Sequence, residues 1–128
     1  MVVRETSAMI AGMDPVLQSG RFAFRTVETA PGDAIATFLE PEGLSVIVPA
    51  EDGEDAFCQI TLQVPSALDG IGLTAAFSTR LTQEGIPANV VAATHHDHVF
   101  VPEALAPRAV EALKQLAAQE GGKHGSTG

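Results

Sequence analysis

Cys58-Gln59-Ile60-Thr61-Leu62-Gln63-Val64 alternates without a fault. Cys58, Ile60, Leu62 and Val64 fall on one face, and Gln59, Thr61 and Gln63 on the other. A period of two marks a half-buried strand, so this stretch predicts a strand in a sheet with one covered face. Pro65-Ser66 ends it. A helix is predicted to begin between Ala67 and Gly72. Leu73, Ala76, Phe77 and Leu81 then share a helical face, and Gly85 stops the helix after Glu84. Ala88 to Thr94 is almost wholly apolar and predicts a central strand. His95-His96-Asp97-His98 reads as a tight connection to a third strand, Val99-Phe100-Val101, closed by Pro102. A last helix starts near Pro107 and turns Ala109, Val110, Leu113, Leu116 and Ala117 to one side. From Gly121 onward the chain reads as an unstructured tail.

The order from Phe57 is therefore strand, helix, strand, strand, helix. Two helices must cover the one apolar face of the sheet. A complete ferredoxin-like unit needs one more strand, and the tail cannot form it. The missing strand must come from the N-terminal half or from a second chain. In that half, Glu5 to Leu17 carries Met9, Ile10 and Met13 on roughly one helical face, shortened by Gly12 and Pro15. Arg21 to Val27 predicts a strand with Phe22 and Phe24 on one face and Arg25 on the other. Ile35–Leu39 and Leu44–Val48 predict a hairpin around Glu40-Pro41-Glu42-Gly43. There is also an internal echo. Thr37 through Val46-Ile47-Val48-Pro49 resembles Thr94 through Val99-Phe100-Val101-Pro102, as a duplication with an eroded first copy would.

Composition excludes several classes. The chain has 128 residues and a net charge of −9, which repels phosphate backbones and anionic membranes. Neither a nucleic acid nor a membrane is expected as partner. All six aromatics are Phe, which leaves few stacking platforms for single strands. The single cysteine allows no intrachain disulfide and suits a cytoplasmic location. The N-terminus lacks the apolar run of a signal peptide. No stretch approaches the roughly 18 apolar residues of a membrane helix. Glu40, Glu42, Glu51, Asp52, Glu54 and Asp55 concentrate acid near the middle. Their spacing is not that of a calcium loop, and they read as a solvated connector.

Val64-Pro65-Ser66-Ala67-Leu68-Asp69-Gly70-Ile71-Gly72-Leu73-Thr74-Ala75-Ala76, Gly85-Ile86-Pro87-Ala88-Asn89-Val90-Val91 and Asp97-His98-Val99-Phe100-Val101 together resemble an ACT domain. More narrowly, Met13-Asp14-Pro15-Val16-Leu17, Phe22-Ala23-Phe24, Glu42-Gly43-Leu44 and Asn89-Val90-Val91-Ala92 before the histidines resemble a small bacterial, uncharacterised family with tandem ACT-like units. The resemblance covers about Met9 to Leu116. It implies an α+β, ferredoxin-like βαββαβ sandwich with a shortened ACT-like unit over residues 1–55. An ACT domain over 56–119 and a disordered tail over 120–128 complete the expected organisation. A homodimer is also expected.

The resemblance implies regulatory, non-catalytic binding of a small molecule such as an amino acid. The implied contacts are Ser66, Leu68, Asp69, Gly70, Ile71, Gly72, Leu73 and Thr74 in the strand-to-helix loop, with Asn89 and Val90 on the facing strand. Glycines let backbone N–H groups approach a ligand, and a helix N-terminus favours a carboxylate. Asp69 could meet an amino group. The alternative is that Ser66 or Asp69 caps the helix and the glycines serve the turn. His95, His96 and His98 offer imidazoles for a metal such as zinc. Exposure with hydrogen bonding at the hairpin or a dimer interface is the competing reading. Cys58, on an apolar strand face, reads as a structural thiol and not a nucleophile. No phosphate loop, dinucleotide fingerprint or zinc-protease motif occurs, so neither an enzyme nor a cofactor is expected. Two functions remain beside ligand sensing: a dimerisation module without ligand, and metal binding through the hairpin.

Overall fold

The computed structural model describes residues 5–65, 68 and 70–125. In chain order the elements are α1 (Thr6–Ala11), β1 (Pro15–Leu17), β2 (Phe22–Val27), β3 (Ala36–Glu40), β4 (Gly43–Pro49), β5 (Phe57–Leu62), α2 (Leu73–Gln83), β6 (Asn89–Ala92), β7 (Asp97–Pro102) and α3 (Ala106–Gly125). A short 3-10 turn, Glu103–Leu105, leads into α3. Among the described residues, no helix is long and apolar enough to cross a membrane.

The alternation of β5 organises the sheet. Ile60 and Leu62 are fully buried against helices, together with Val99 and Val101 of β7. Leu73, Phe77 and Leu81 recur every fourth residue along α2 and fill the same core. Gly85, at φ +71°, takes the left-handed conformation that ends the helix. α3 adds Ala109, Ala112 and Leu113. The strands run in the order β3-β4-β2-β5-β7-β6, all antiparallel.

The missing strand comes from the N-terminal half. β1 pairs antiparallel with β5, Pro15 opposite Leu62 and Leu17 opposite Ile60. Gln63 N–H to Met13 O at 2.7 Å and Gln18 N–H to Gln59 O at 2.8 Å extend the contact. Helical spacing had carried the predicted helix toward Leu17. It ends at Ala11, because Pro15 opens a strand whose outer side needs no donor. Met9, Ile10 and Met13 are buried beside Ile60 and Phe77. Residues 5–17 thus pack on the second unit, across the expected division at residue 55.

The internal echo is a structural one. Phe22 pairs with Pro49 and Phe57 with Pro102, so β2–β4 and β5–β7 start in the same register. Phe22 and Phe57 also face each other, the one pairing between β2 and β5. Each unit then adds a hairpin outside. Between β5 and β6 lies α2, whereas the stretch from Glu28 to Ile35 between β2 and β3 is a loop. Likewise α3 follows β7, whereas only the loop 50–56 follows β4; these two absent helices shorten the first unit.

Two expectations are corrected. The apolar run Ala88–Thr94 is not central: β6 is the sheet edge. Val90 packs on the helical core and Val91 on the opposite face, which satisfies both sides without a second neighbour strand. The tail expected from Gly121 begins inside α3, which runs to Gly125. Residues 126–128 lie outside the described residues.

Met13 has no exposed surface. Met13→Ala should therefore cost about 2–5 kcal/mol in urea denaturation. Unfolding should stay a single transition, since β2 belongs to one sheet with β5. A separate early transition of residues 5–20 would contradict this dependence.

Candidate functional site

α1 fixes the strand-to-helix loop. Glu5 caps α1, its carboxylate accepting from the Ser7 and Ala8 N–H groups at 3.1 and 2.6 Å. Thr6 then donates its hydroxyl to the Ile71 carbonyl at 2.5 Å. Gly72 follows at φ +102°, and a Cβ there would stand 2.6 Å from Thr6 Cγ2. Only glycine fits that approach.

α2 starts immediately after. Its first ladder bond is Ala76 N–H to Gly72 O at 2.9 Å. The amides of Leu73, Thr74 and Ala75 stand ahead of the ladder, and among the described residues no side chain caps them. Beside this helix start lies a small pocket of about 140 Å³. It is lined by Met9, Leu68, Gly70, Gly72, Leu73, Thr74, Ala92, Ala93 and Asp97.

Asp97 is the unusual member. It begins β7 in phase with Val99 and Val101, on the helix-covered face, and is only 8% exposed. Its carboxylate has no hydrogen-bond partner among the described residues. Burial pushes its pKa up, partly offset by the neighbouring His98. A partly desolvated carboxylate beside helix amides, neither with a side-chain partner among the described residues, is a two-pole site: one pole suits a cation, the other an anion.

The predicted contacts divide. Leu68, Gly70, Gly72, Leu73 and Thr74 line the pocket. Ile71 points away, 79% exposed. Ser66 and Asp69 lie outside the described residues. Asn89 and Val90 do not reach the pocket: Asn89 Nδ2 donates to the Phe100 carbonyl at 3.3 Å, and Val90 packs on the core. The far end of the same strand, Ala92 and Ala93, lines it instead. Met9, Ala92, Ala93 and Asp97 are the lining residues that sequence reasoning missed. The available signal was phase, since Asp97 continues backward the alternation of Val99 and Val101.

The histidines do not converge. His95 is exposed, with its ring centroid 6.4 Å from that of His96. His96 Nδ1 is buried without a partner. His98 stands on the opposite sheet face from Asp97, its Nδ1 3.0 Å from both Gln59 Nε2 and Thr61 Oγ1. Among the described residues no three metal-ligating side chains cluster. The acidic connector is partly tied down by Arg25, which pairs with Glu54 and holds that carboxyl down to about 2. Cys58 is half-buried, and burial raises its thiol pKa.

Residues 54–115 match a family model described as ACT domain, and residues 3–64 match a second one with the same description. A solved structure from Vibrio cholerae is 42% identical, with a TM-score of 0.74, over 84% of this chain and 92% of that one. It is described as a protein of unknown function and "possible transport protein". A structure from Agobacterium tumefaciens is 16% identical, over 80% of this chain and 87% of that one, with a TM-score of 0.66. At that identity the likeness concerns the fold. No curated protein matches.

Asp97 carries a stability signature. Its folded pKa lies above the ordinary value, so the folded state favours the protonated form. Its contribution is most favourable below the ordinary carboxylate pKa and is lost as pH rises through the raised one. Asp97→Asn should melt above the unsubstituted protein at pH 7, and the gap should narrow toward pH 3. Thermal melts across that range check the sign; an Asn variant that melts lower at pH 7 would show the carboxylate to be satisfied.

Proposed function

Since the chain belongs to the ACT-domain family, with tandem units on a ferredoxin-like fold, we propose that it binds an amino acid in the Gly70–Asp97 pocket. ACT domains are generally regulatory modules that bind small molecules. In this reading the amides of Leu73, Thr74 and Ala75, uncapped among the described residues, take the ligand's α-carboxylate. Asp97 takes its α-ammonium. Thr74 adds a hydroxyl at the rim. Binding is the whole of the chemistry, and the output is regulatory and non-catalytic.

The observation that carries it is Asp97. Asp97 is only 8% exposed and its carboxylate has no hydrogen-bond partner among the described residues, so an arriving ammonium group supplies an opposite charge in a partly desolvated setting. The pocket volume of about 140 Å³ is several times the roughly 30 Å³ share of one liquid water. It holds an amino-acid head, with the side chain directed past the exposed Leu68.

Calorimetry with the twenty amino acids tests this. At least one should bind at millimolar or lower concentration and raise the melting temperature. Asp97→Asn should weaken that affinity by about 10- to 150-fold, the range for a charged hydrogen bond. The matching amine without its carboxylate should also bind more weakly. Failure of every amino acid to bind would overturn the proposal.

A second reading, an assembly module, is favoured by one observation. Phe38 and Leu39, on the edge strand β3, are 74% and 78% exposed. An edge strand with exposed apolar side chains is a template for another strand. A homodimer through β3 covers them and is compatible with ligand binding. Sedimentation should show a dimer that Phe38→Glu dissociates; a monomeric unsubstituted chain would remove this reading.

A further inference from the structure

The helix-free sheet face also encloses a cleft. Phe22, Ile47 and Phe100 form a small core there, with Ala36, Phe57 and Val91 packed on it. Ala36 belongs to one sheet edge and Val91 to the other. The sheet is therefore curled, bringing the start of β3 over β5, β6 and β7. Between them lies a cleft of about 480 Å³, whose walls include Ile35, Ala36, Gln59, Val91, His98 and Phe100. That volume falls within the range of roughly 300–1,000 Å³ typical of small-molecule sites.

Its polar equipment is a fixed imidazole. Gln59 Nε2 donates to His98 Nδ1 at 3.0 Å, and the Thr61 hydroxyl lies 3.0 Å from the same nitrogen. With Nδ1 accepting, the neutral ring carries its proton on Nε2. Burial and the neighbouring His96 lower the His98 pKa, which favours the neutral form. Nε2 has no partner among the described residues. Among the described residues no charged side chain lines the cleft to offset the desolvation of a ligand charge. The net charge of −9 further disfavours an anion.

We propose that this cleft is a second binding site, for an uncharged, mainly aliphatic small molecule whose carbonyl oxygen accepts the His98 Nε2 proton. Val91, Ile35 and Phe100 enclose the aliphatic part. The site shares β7 with the Asp97 pocket but uses its other face.

The probe is isovaleramide, titrated into the full chain at millimolar concentration and followed by amide NMR shifts. Saturable shifts at Gln59, Val91, His98 and Phe100 are expected. Isovalerate and isoamylamine, the charged analogues, should bind more weakly. His98→Phe keeps the ring and removes the donor; it should weaken the amide about tenfold. Ile35→Glu puts a charge at a half-exposed rim position and should weaken it too, which keeps the test valid if the histidine variant misfolds. Absence of saturable shifts would overturn the proposal. So would shifts confined to Gly70–Thr74, or affinity unchanged in the folded variants.

Discussion

The pairing of β1 onto β5 is the constraint on which the other features depend. Without Pro15–Leu17 against Ile60–Leu62, the second unit has an open edge beside its most buried strand. The pairing also fixes where α1 lies, since three residues connect Ala11 to Pro15. α1 then places Met9 in the helical core and Thr6 against the Ile71 carbonyl, and the connector adds Met13 to that core. That contact sets the Gly72 turn, and the turn sets the start of α2. The pocket thus exists because an N-terminal strand closes a sheet to which, in sequence, it does not belong. A three-residue strand has little stability of its own. Its stability is that of the buried side chains on either side of it.

The strand β5 was legible because alternation over a whole strand admits no helical reading. Helix α2 was legible from Leu73, Phe77 and Leu81, and its end from Gly85. β1 was not. Three residues have no measurable period, and Met9, Ile10 and Met13 supply a helical one up to its threshold. β6 was misplaced because an apolar run states only that both faces are covered. It does not state how many strands flank it, and here helices and the curled sheet cover Val90 and Val91. The glycine loop of the candidate site was legible as a loop that brings backbone to a ligand. Asp97 was obscured by its histidine neighbours, which suggested a metal. Its meaning comes from phase: a carboxylate in register with Val99 and Val101 must lie among core residues.

Duplication with loss explains the curl. Each unit contributes a central strand and an outer hairpin in matching register, meeting at Phe22 and Phe57. In the second unit α2 and α3, with α1, cover the face that carries Ile60 and Val99. In the first unit the loop from Glu28 to Ile35 replaces a helix. Ala23, Val46 and Val48 are buried under smaller cover, Ala34 and Ala50 among it. The opposite face of that unit is left with Phe22, Phe24 and Ile47, and it folds toward Phe57 and Phe100, burying Phe22 and Ile47 and leaving Phe24 partly exposed. Phe24 meets Phe57 and Phe100 edge-on at 5.2 and 5.6 Å, spacings at which such rings attract. An aromatic-poor chain has placed four of its six Phe at this one junction.

Strand β7 shows how much one alternation can separate. Asp97 and His98 are adjacent in sequence and shift in opposite directions from their ordinary pKa values, Asp97 upward and His98 downward. Burial is the leading cause in both cases, and it favours the neutral form of each. Yet the period of two sends them to opposite faces, one toward the start of α2 and the other toward Gln59 and Thr61. The carboxylate has no hydrogen-bond partner among the described residues and faces a pocket with a positive helix end. The imidazole is held by two neighbours and faces apolar walls. Their chemistry differs because the layers covering each face differ: helices on one side, the curled first unit on the other. A three-layer arrangement built from one sheet therefore gives a single short strand two distinct environments, with no loop required to move either side chain into place.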